Sequence, residues 1–600
     1  MKSKQIVFII GDILLSATAI YFAVWLRFEG LIAAEYQPLL GLYYLIAACT
    51  IVPAGFLFGT YQSMLEYMGF VDAFRQIGAV TASAAVFFVI KYTGLLQVSG
   101  SITVIYFGIA LMLTTGIRLI PRFRHFLFMH NNGGSKRTLI IGAGTTGAMV
   151  IKRLEENGEE GLYPVVAVDD DPAKLKMRVA GVHVAGSLKD IPKVAQQYKA
   201  EEAILAIPSI NTEAITEIYH RCTACGLKFR IFQSTVDMES YLAGDRKALK
   251  QISLEDLLFR DSVRLDKNLI FQCLKDNRIL VTGGAGSIGS EICRQALANG
   301  CRQLIIYDFN ENGLFGINEE LKKKYEEDRF QVCLGSIRDK ERLQEVFNKY
   351  RPQVVFHAAA HKHVPMMEGN PFEAVKNNII GTENVLQSCR AHQVERCILI
   401  STDKAVNPSS IMGATKRAAE LLVQGLNSPQ CRMAAVRFGN VLGSKGSVVP
   451  IFKKQIEEGG PITVTHQDME RYFITIPEAV SLIMVAATLA EGGEIFALDM
   501  GKPVKIDMLA RELIRLSGLE PDKDIKIEYV GIRPGEKMAE EIYWDEEKVI
   551  KTVQEKLFVM RSQPMDYEAF ALSLNKVKEL VLAGQGEECL KEELMAAIGC

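Results

Sequence analysis

The sequence predicts an α/β protein in which a helical transmembrane region of about 130 residues precedes two doubly wound parallel-sheet domains. Three observations carry this. The long apolar runs are concentrated in the first 120 residues. Two strand–glycine–helix turns, "KRTLIIGAGTTGAMV" and "RILVTGGAGSIGSEI", each open a stretch in which apolar strands alternate with helical patterns. A chain of 600 residues is also too long for one hydrophobic core.

Charge is nearly balanced, 68 basic against 70 acidic residues, so no global basic signature points to nucleic acid as a partner. Twelve cysteines lie scattered without regular spacing, as suits a reducing compartment. The pair Cys222 and Cys225 has no second pair at ligand spacing, and no metal is expected.

In the first region, residues 1–130, "IVFIIGDILLSATAIYFAVW" (Ile6–Trp25) is long enough to cross a bilayer and contains one acid, Asp12. Three further spans are expected at Pro38–Gly59, Ala73–Ile90 and Ile102–Ile120. Lys2 and Lys4 precede the first, and Arg118, Arg122, Arg124, Lys136 and Arg137 end or follow the last. Basic residues at both ends favour an even number of spans with both ends cytoplasmic.

Residues 131–240 form the first sheet domain. Gly142, Gly144 and Gly147 make a G-x-G-x-x-G turn between strand and helix, and "YPVVAVDDDP" is a second strand ending at Asp169. Such a Rossmann-like turn brings backbone N–H groups to a phosphate, and these four residues are a candidate second nucleotide site. Glycines there can also serve tight packing alone. Residues 241–275 read as a charged linker with one short helix.

The second sheet domain spans 276–560, followed by a helical tail over 561–600. Gly283, Gly286 and Gly289, with Ser287 and Ile288 between them, fall as G-x-x-G-x-x-G. Nineteen residues past Gly289 the strand "QLIIYD" ends in Asp308. A carboxylate there hydrogen-bonds ribose hydroxyls and repels a 2′-phosphate, which favours NAD over NADP. "PQVVFHAAA" brings Ala358 and Ala359 to a strand end, where small residues leave room for cofactor. "ERCILISTDK" and "MAAVRFGNVLG" deliver Ser401–Lys404 and Arg437–Asn440 to the same edge.

The motifs "HAAAHKHVPMMEGNPFEAVKNNIIGTENV", "STDKAVNPSSIMGATKR", "RFGNVLGSKGSVVPIF", "ERYFITIPEA" and "RPGEK" occur in order. Together with the glycine turn they resemble the extended short-chain dehydrogenase/reductases acting on nucleotide sugars, and within them the membrane-bound UDP-N-acetylhexosamine 4,6-dehydratases of bacterial polysaccharide synthesis. The resemblance spans essentially the whole chain. It implies a multi-pass protein of the bacterial inner membrane with cytoplasmic catalytic domains. It further implies NAD as cofactor, a UDP-N-acetylhexosamine substrate (UDP-GlcNAc foremost), a homo-oligomer, and downstream glycan-synthesis enzymes as partners.

The implied reaction oxidises sugar C4, eliminates water across C5–C6 and returns the hydride to C6. A tyrosine usually takes the 4-OH proton, but its position holds Met412, which can neither give nor take one. Lys416 remains four residues on, on the same helix face, and by resemblance binds the nicotinamide ribose. Asp403 and Lys404 stand where soluble dehydratases carry an Asp–Glu pair. By that resemblance Asp403 is the acid for the 6-OH and Lys404 the C5 base. The 4-OH proton then falls to Asp403, with Thr402 as a relay. A lysine base requires burial or a nearby cation to lower its pKa. The bland alternative is a turn in which Asp403 caps the next helix.

For the substrate, Arg471 and Arg533 are the candidate diphosphate ligands, with Asn440 and Glu536 for amide and ribose contacts. Lys362 lies past a strand end, either against sugar or diphosphate or simply in solvent. Two rival functions remain. A UDP-sugar 4-epimerase shares fold and cofactor but needs the tyrosine and no C5 base. A membrane nucleotide or redox sensor, or a scaffold for glycan enzymes, would tolerate any residue at Asp403 and Lys404.

Overall fold

The computed structural model describes residues 3–30, 32, 36–61, 70–94, 96, 99–131, 136–157, 161–208, 210–232, 249–254, 256, 267–543, 548–561, 566–584 and 586–599. The chain separates into two compact units, one chiefly Met1–Ile207 and the other chiefly Arg246–Cys600.

The first unit opens with four helices, α1 (Ser3–Arg27), α2 (Leu40–Leu57), α3 (Phe70–Thr93) and α4 (Gly100–Asn131). Each contains an apolar stretch of 18 to 20 residues, enough to cross a bilayer. These are the four expected spans, with α4 running on well past Ile120. Each helix contributes a hydroxyl to one interior chain: Ser16 to Tyr106 at 2.7 Å, Tyr106 to Ser83 at 3.0 Å, and Ser83 to Thr50 at 2.7 Å. Where water is absent, such groups satisfy one another across helices. Arg118, expected among the flanking cations, instead turns inward. Its guanidinium donates to both oxygens of Asp12, at 2.9 and 2.7 Å, with both side chains buried. The lone acid of the first span is therefore neutralised by the last.

Beyond the helices, strands β1 (Lys136–Ile141), β2 (Leu162–Val168), β3 (Arg178–Val179), β4 (Val182–Gly186) and β5 (Glu202–Leu205) run in the order β3-β4-β2-β1-β5. Pairing is parallel except at the β3–β4 edge. Helix α5 (Thr145–Asn157) follows the first glycine turn.

In the second unit, β6 (Lys228–Phe232) pairs antiparallel with β7 (Leu249–Gln251), so the expected linker contains a strand as well as the helix Lys267–Leu274. Much of the rest of that expected linker lies outside the described residues. The main sheet comprises β8 (Arg278–Thr282), β9 (Gln303–Asp308), β10 (Phe330–Leu334), β11 (Val354–His357), β12 (Arg396–Ile400), β13 (Arg432–Arg437), β14 (Ile495–Leu498), β15 (Lys548–Lys551) and β16 (Leu557–Arg561). Their order is β10-β9-β8-β11-β12-β13-β14-β16-β15. The first seven are parallel, and the order reverses between β8 and β11, which opens a crevice at the strands' carboxyl ends. Register places Tyr307, Thr282, His357, Leu399 and Ala435 in one row. The residues that follow each of them form the rim of that crevice.

The tail, helices Tyr567–Ala583 and Glu587–Ala597, is no appendage. Phe570, Leu574, Val577, Leu590 and Leu594 are buried in the same apolar cluster as Leu399 and Met412. Burying five such side chains stabilises the catalytic domain by several kcal/mol, at about 1.5–3 kcal/mol each.

Candidate active site

The cofactor turn follows from steric necessity. Gly283 has φ +70, and a Cβ there would lie 2.6 Å from the backbone of Ala358 and Ala359. The strand-end alanines thus cross directly against the turn. A Cβ at Gly289 would run into the Gly283 carbonyl, so helix α6 (Ser287–Ala298) can approach the turn only because Gly289 has no side chain. Gly286 is the helix N-cap, Ser287 Oγ accepts from the Lys445 N–H at 3.1 Å, and Ile288 packs on the core. Asp308 is buried. Its Oδ2 accepts from the Ala285 N–H and its Oδ1 from the Asn310 N–H, both at 2.9 Å. Each oxygen retains a second acceptor position for a ribose hydroxyl. These residues fit NAD.

The segment "STDK" leaves the end of β12. Ser401 Oγ donates to Glu420 Oε1 at 2.7 Å. Glu420 in turn meets Arg437 through Nε at 2.8 Å and Nη2 at 2.8 Å, with neither side chain exposed. Burial alone would raise the Glu420 carboxyl. Arg437, Arg417 and Ser401 reverse that and hold it at about 2. This buried pair anchors helix α7 (Ile411–Leu426) beneath the site.

Asp403 is fully buried. Its Oδ1 accepts from Thr402 Oγ1 at 2.8 Å and from Lys404 Nζ at 3.0 Å, while Oδ2 is buried without a partner. Asp403 caps no helix: Ser410 is the N-cap of α7 and accepts from the Gly413 N–H at 3.1 Å. Lys404 also approaches Asn440 Oδ1 at 3.4 Å and Glu540 Oε1 at 3.5 Å. Burial would lower its pKa, but Asp403 and Glu540 overcome this and raise it above the ordinary lysine range. That is opposite to the lowering expected of a base, because the two carboxylates outweigh both burial and the nearby Arg471.

Lys416 is buried and donates to the Ile400 carbonyl at 2.6 Å. Burial brings its pKa down to about 8, against an upward pull from Glu420. Met412 is 2% exposed and belongs to the core. His357 bridges Thr282 Oγ1 at 2.7 Å and Thr382 Oγ1 at 2.9 Å; burial first, then Lys416, push it down to about 3, so the imidazole is neutral.

On the substrate side, Arg471 is buried and largely committed to the protein. It donates to the carbonyls of Glu470 at 2.7 Å, Met538 at 3.0 Å and Lys537 at 2.7 Å. These contacts clamp the "RPGEK" loop against Arg471. Arg533, on that loop, is exposed and suits a diphosphate better. Glu536 has a buried Oε2 with no partner, and Lys537 Nζ ties the loop to the Val406 carbonyl at 3.0 Å. Lys362 is exposed and reaches Ser444 Oγ at 3.4 Å. Two site residues were not foreseen. Glu420 lies one helical turn beyond Lys416, and Glu540 is the third residue after the "RPGEK" motif.

The first glycine turn repeats the pattern. Gly142 has φ +102, a Cβ at Gly147 would run into the Gly142 carbonyl, and a Cβ at Gly144 would meet open space. Asp169 accepts from the Ala143 N–H at 2.7 Å and the Asp171 N–H at 2.9 Å, and pairs with Lys174 at 3.1 Å.

A parallel sheet with its glycine turn, and a lysine on the helix after the fifth strand of that order, define an extended short-chain dehydrogenase/reductase domain, preceded in sequence by four helices long and apolar enough to cross a membrane. Residues 279–562 match the family model described as polysaccharide biosynthesis protein, and residues 57–232 one described as a CoA-binding domain. The capsular polysaccharide biosynthesis protein CapD of Staphylococcus aureus is 44% identical over 512 residues, 84% of each chain. The probable polysaccharide biosynthesis protein EpsC of Bacillus subtilis (strain 168) is 40% identical over 547 residues, 90% of each. A Campylobacter jejuni UDP-N-acetylglucosamine 4,6-dehydratase (inverting) is 39% identical over 268 residues, 44% of this chain and 76% of that one. Among solved structures, Pen from Bacillus thuringiensis is 34% identical, covering 49% of this chain and 90% of its own, with a TM-score of 0.45. The chain belongs to the family of CapD- and EpsC-like polysaccharide biosynthesis proteins.

The middle turn does not fit CoA well. The ribose of CoA carries a 3′-phosphate, and three consecutive acids, Asp169, Asp170 and Asp171, follow the strand end. Lys174, the cation beside them, is already paired.

Proposed function

We propose that the protein catalyses NAD-dependent dehydration of a UDP-N-acetylhexosamine, UDP-GlcNAc foremost, to the UDP-4-keto-6-deoxy sugar. It would do so from the cytoplasmic face of a bacterial cell membrane, as a multi-pass homo-oligomer feeding surface-polysaccharide enzymes. The observation that carries the reading is the buried Asp403 carboxylate, with one oxygen held by Thr402 and Lys404 and the other without a partner. The name of the Campylobacter relative supports it. We also propose a nucleotide with a free ribose at Gly142, Gly144, Gly147 and Asp169.

NAD, when bound, supplies the hydride acceptor for C4 and the donor for C6. The protein's own residues handle every proton. Asp403 takes the 4-OH proton through Thr402, which is already hydrogen-bonded to it, and then delivers it to the departing 6-OH. One group can serve both steps because the acid form made by the first is the form the second requires. Lys404, beside it, faces C5. Lys416 and Asp308 hold the two riboses of the cofactor, and Arg533, Glu536, Asn440 and Lys362 surround the nucleotide sugar. Arg471 keeps their loop in place.

Incubation of the purified protein with UDP-GlcNAc and NAD tests the reading. The product should be lighter by about 18 mass units, one water. A product of unchanged mass with inverted C4 would instead make the protein a 4-epimerase.

A further inference from the structure

A lysine removes a proton from C5 only as a free amine, yet Lys404 lies between two carboxylates. Asp403 Oδ1 is 3.0 Å away and Glu540 Oε1 3.5 Å away, and both acids are buried. The other groups around this cluster are Asn440 Oδ1 at 3.4 Å from Lys404 and Arg471 Nε at 3.9 Å from Glu540. Tyr472 packs beside Asp403 across Gly439. Arg471 donates to three backbone carbonyls, and the Glu540 carboxylate lies against this tethered guanidinium.

We propose that Glu540 is a positioning residue in the dehydration, the proton store that frees Lys404 to act at C5. This rests on the reading of the preceding section. Asp403 and Glu540 begin as carboxylates and Lys404 as an ammonium. The 4-OH proton goes to Asp403 as the C4 hydride departs to the cofactor. Lys404 then passes its proton to Glu540 and, as an amine, takes the C5 proton. The C5–H pair becomes the C5–C6 double bond, the C6–O bond breaks, and the leaving hydroxide takes the Asp403 proton to become water. When the hydride returns to C6, Lys404 gives its proton back to C5 and recovers the one held by Glu540. The water therefore contains the 4-OH proton and the 6-OH group, and every protein group ends as it began. The two carboxylates that hold Lys404 as an ammonium at rest are thus the two that change charge during turnover.

The test is the pH profile of C5 exchange in D2O, measured with UDP-GlcNAc and NAD on the full chain. The unmodified protein should exchange at a rate that is flat across neutral pH, because the proton moves internally. In Glu540→Gln, Lys404 must lose its proton to solvent. Exchange should fall at least about tenfold at pH 7 and recover about tenfold per pH unit above it, while NAD binding is retained. A glutamine variant with the unmodified flat profile, whatever its amplitude, overturns the proposal. Should that variant fail to bind NAD, Glu540→Asp decides. Its carboxylate is drawn back by one methylene, so exchange should slow at least about threefold with the flat profile kept. A rate equal to the unmodified protein's overturns the proposal. An unmodified protein that forms no product short of one water overturns the dehydratase reading, and the role of Glu540 with it.

Discussion

Lys404 Nζ lies 3.0 Å from Asp403 Oδ1, and Asp403 Oδ2 is left buried with no partner. A buried carboxylate oxygen without a hydrogen bond is costly unless something arrives to use it. Gly439 packs over that oxygen, and a Cβ there would crowd it at 3.1 Å.

Asp403→Asn should therefore stop dehydration. The amide can neither accept the 4-OH proton nor deliver one to the 6-OH, and a loss of about 10²–10⁴-fold is expected of a general acid–base group. Product mass against time measures it. A variant within a factor of about three of the unmodified rate would remove Asp403 from the chemistry.

Met412→Tyr should not raise activity. Met412 is buried in the core, so a tyrosine there overpacks its neighbours by about 1–3 kcal/mol and lowers the melting temperature. A substantial gain in rate would mean that the 4-OH proton normally lacks an acceptor.

Asp308→Ala should weaken NAD by about 1–3 kcal/mol, through the lost ribose contact and a looser glycine turn. The carboxylate also holds the Ala285 and Asn310 N–H groups. Titration with both cofactors checks it, and tighter binding of NADP by the unmodified protein would reverse the assignment.

Glu420→Gln should destabilise the fold by about 3–5 kcal/mol, since it breaks a buried ion pair by removing one partner's charge. The pH dependence has a definite sign. The folded carboxyl is held at about 2 against an ordinary 4.5, so its contribution is complete above 4.5 and is lost as pH falls toward 2. Acid unfolding followed by circular dichroism should lose that component in the variant.

Local signals made the cofactor turn, the strand-end "STDK" and the four apolar helices legible in the sequence, because glycine spacing and helix length are local constraints. Glu540 was not legible. It is delivered by a loop without regular structure, and tertiary contacts through Arg471, Lys537 and Asn407 bring it to Lys404. Nor were the carbonyl contacts of Arg471 legible, since a guanidinium's backbone partners depend on where the "RPGEK" loop folds. The inward turn of Arg118 toward Asp12 likewise depends on how the first and last helices pack. So does the merging of the helical tail with the catalytic core, since its apolar pattern does not say which core it joins.

The central claim is that Lys404 is the C5 base at a site that works without a tyrosine. Lys404→Ala, given UDP-GlcNAc and NAD in D2O, tests it most directly. C4 oxidation should persist slowly, while deuterium at C5 and loss of water both disappear. Dehydration at a near-normal rate in this variant would place the base elsewhere, with Lys362 the next candidate, and would contradict the account.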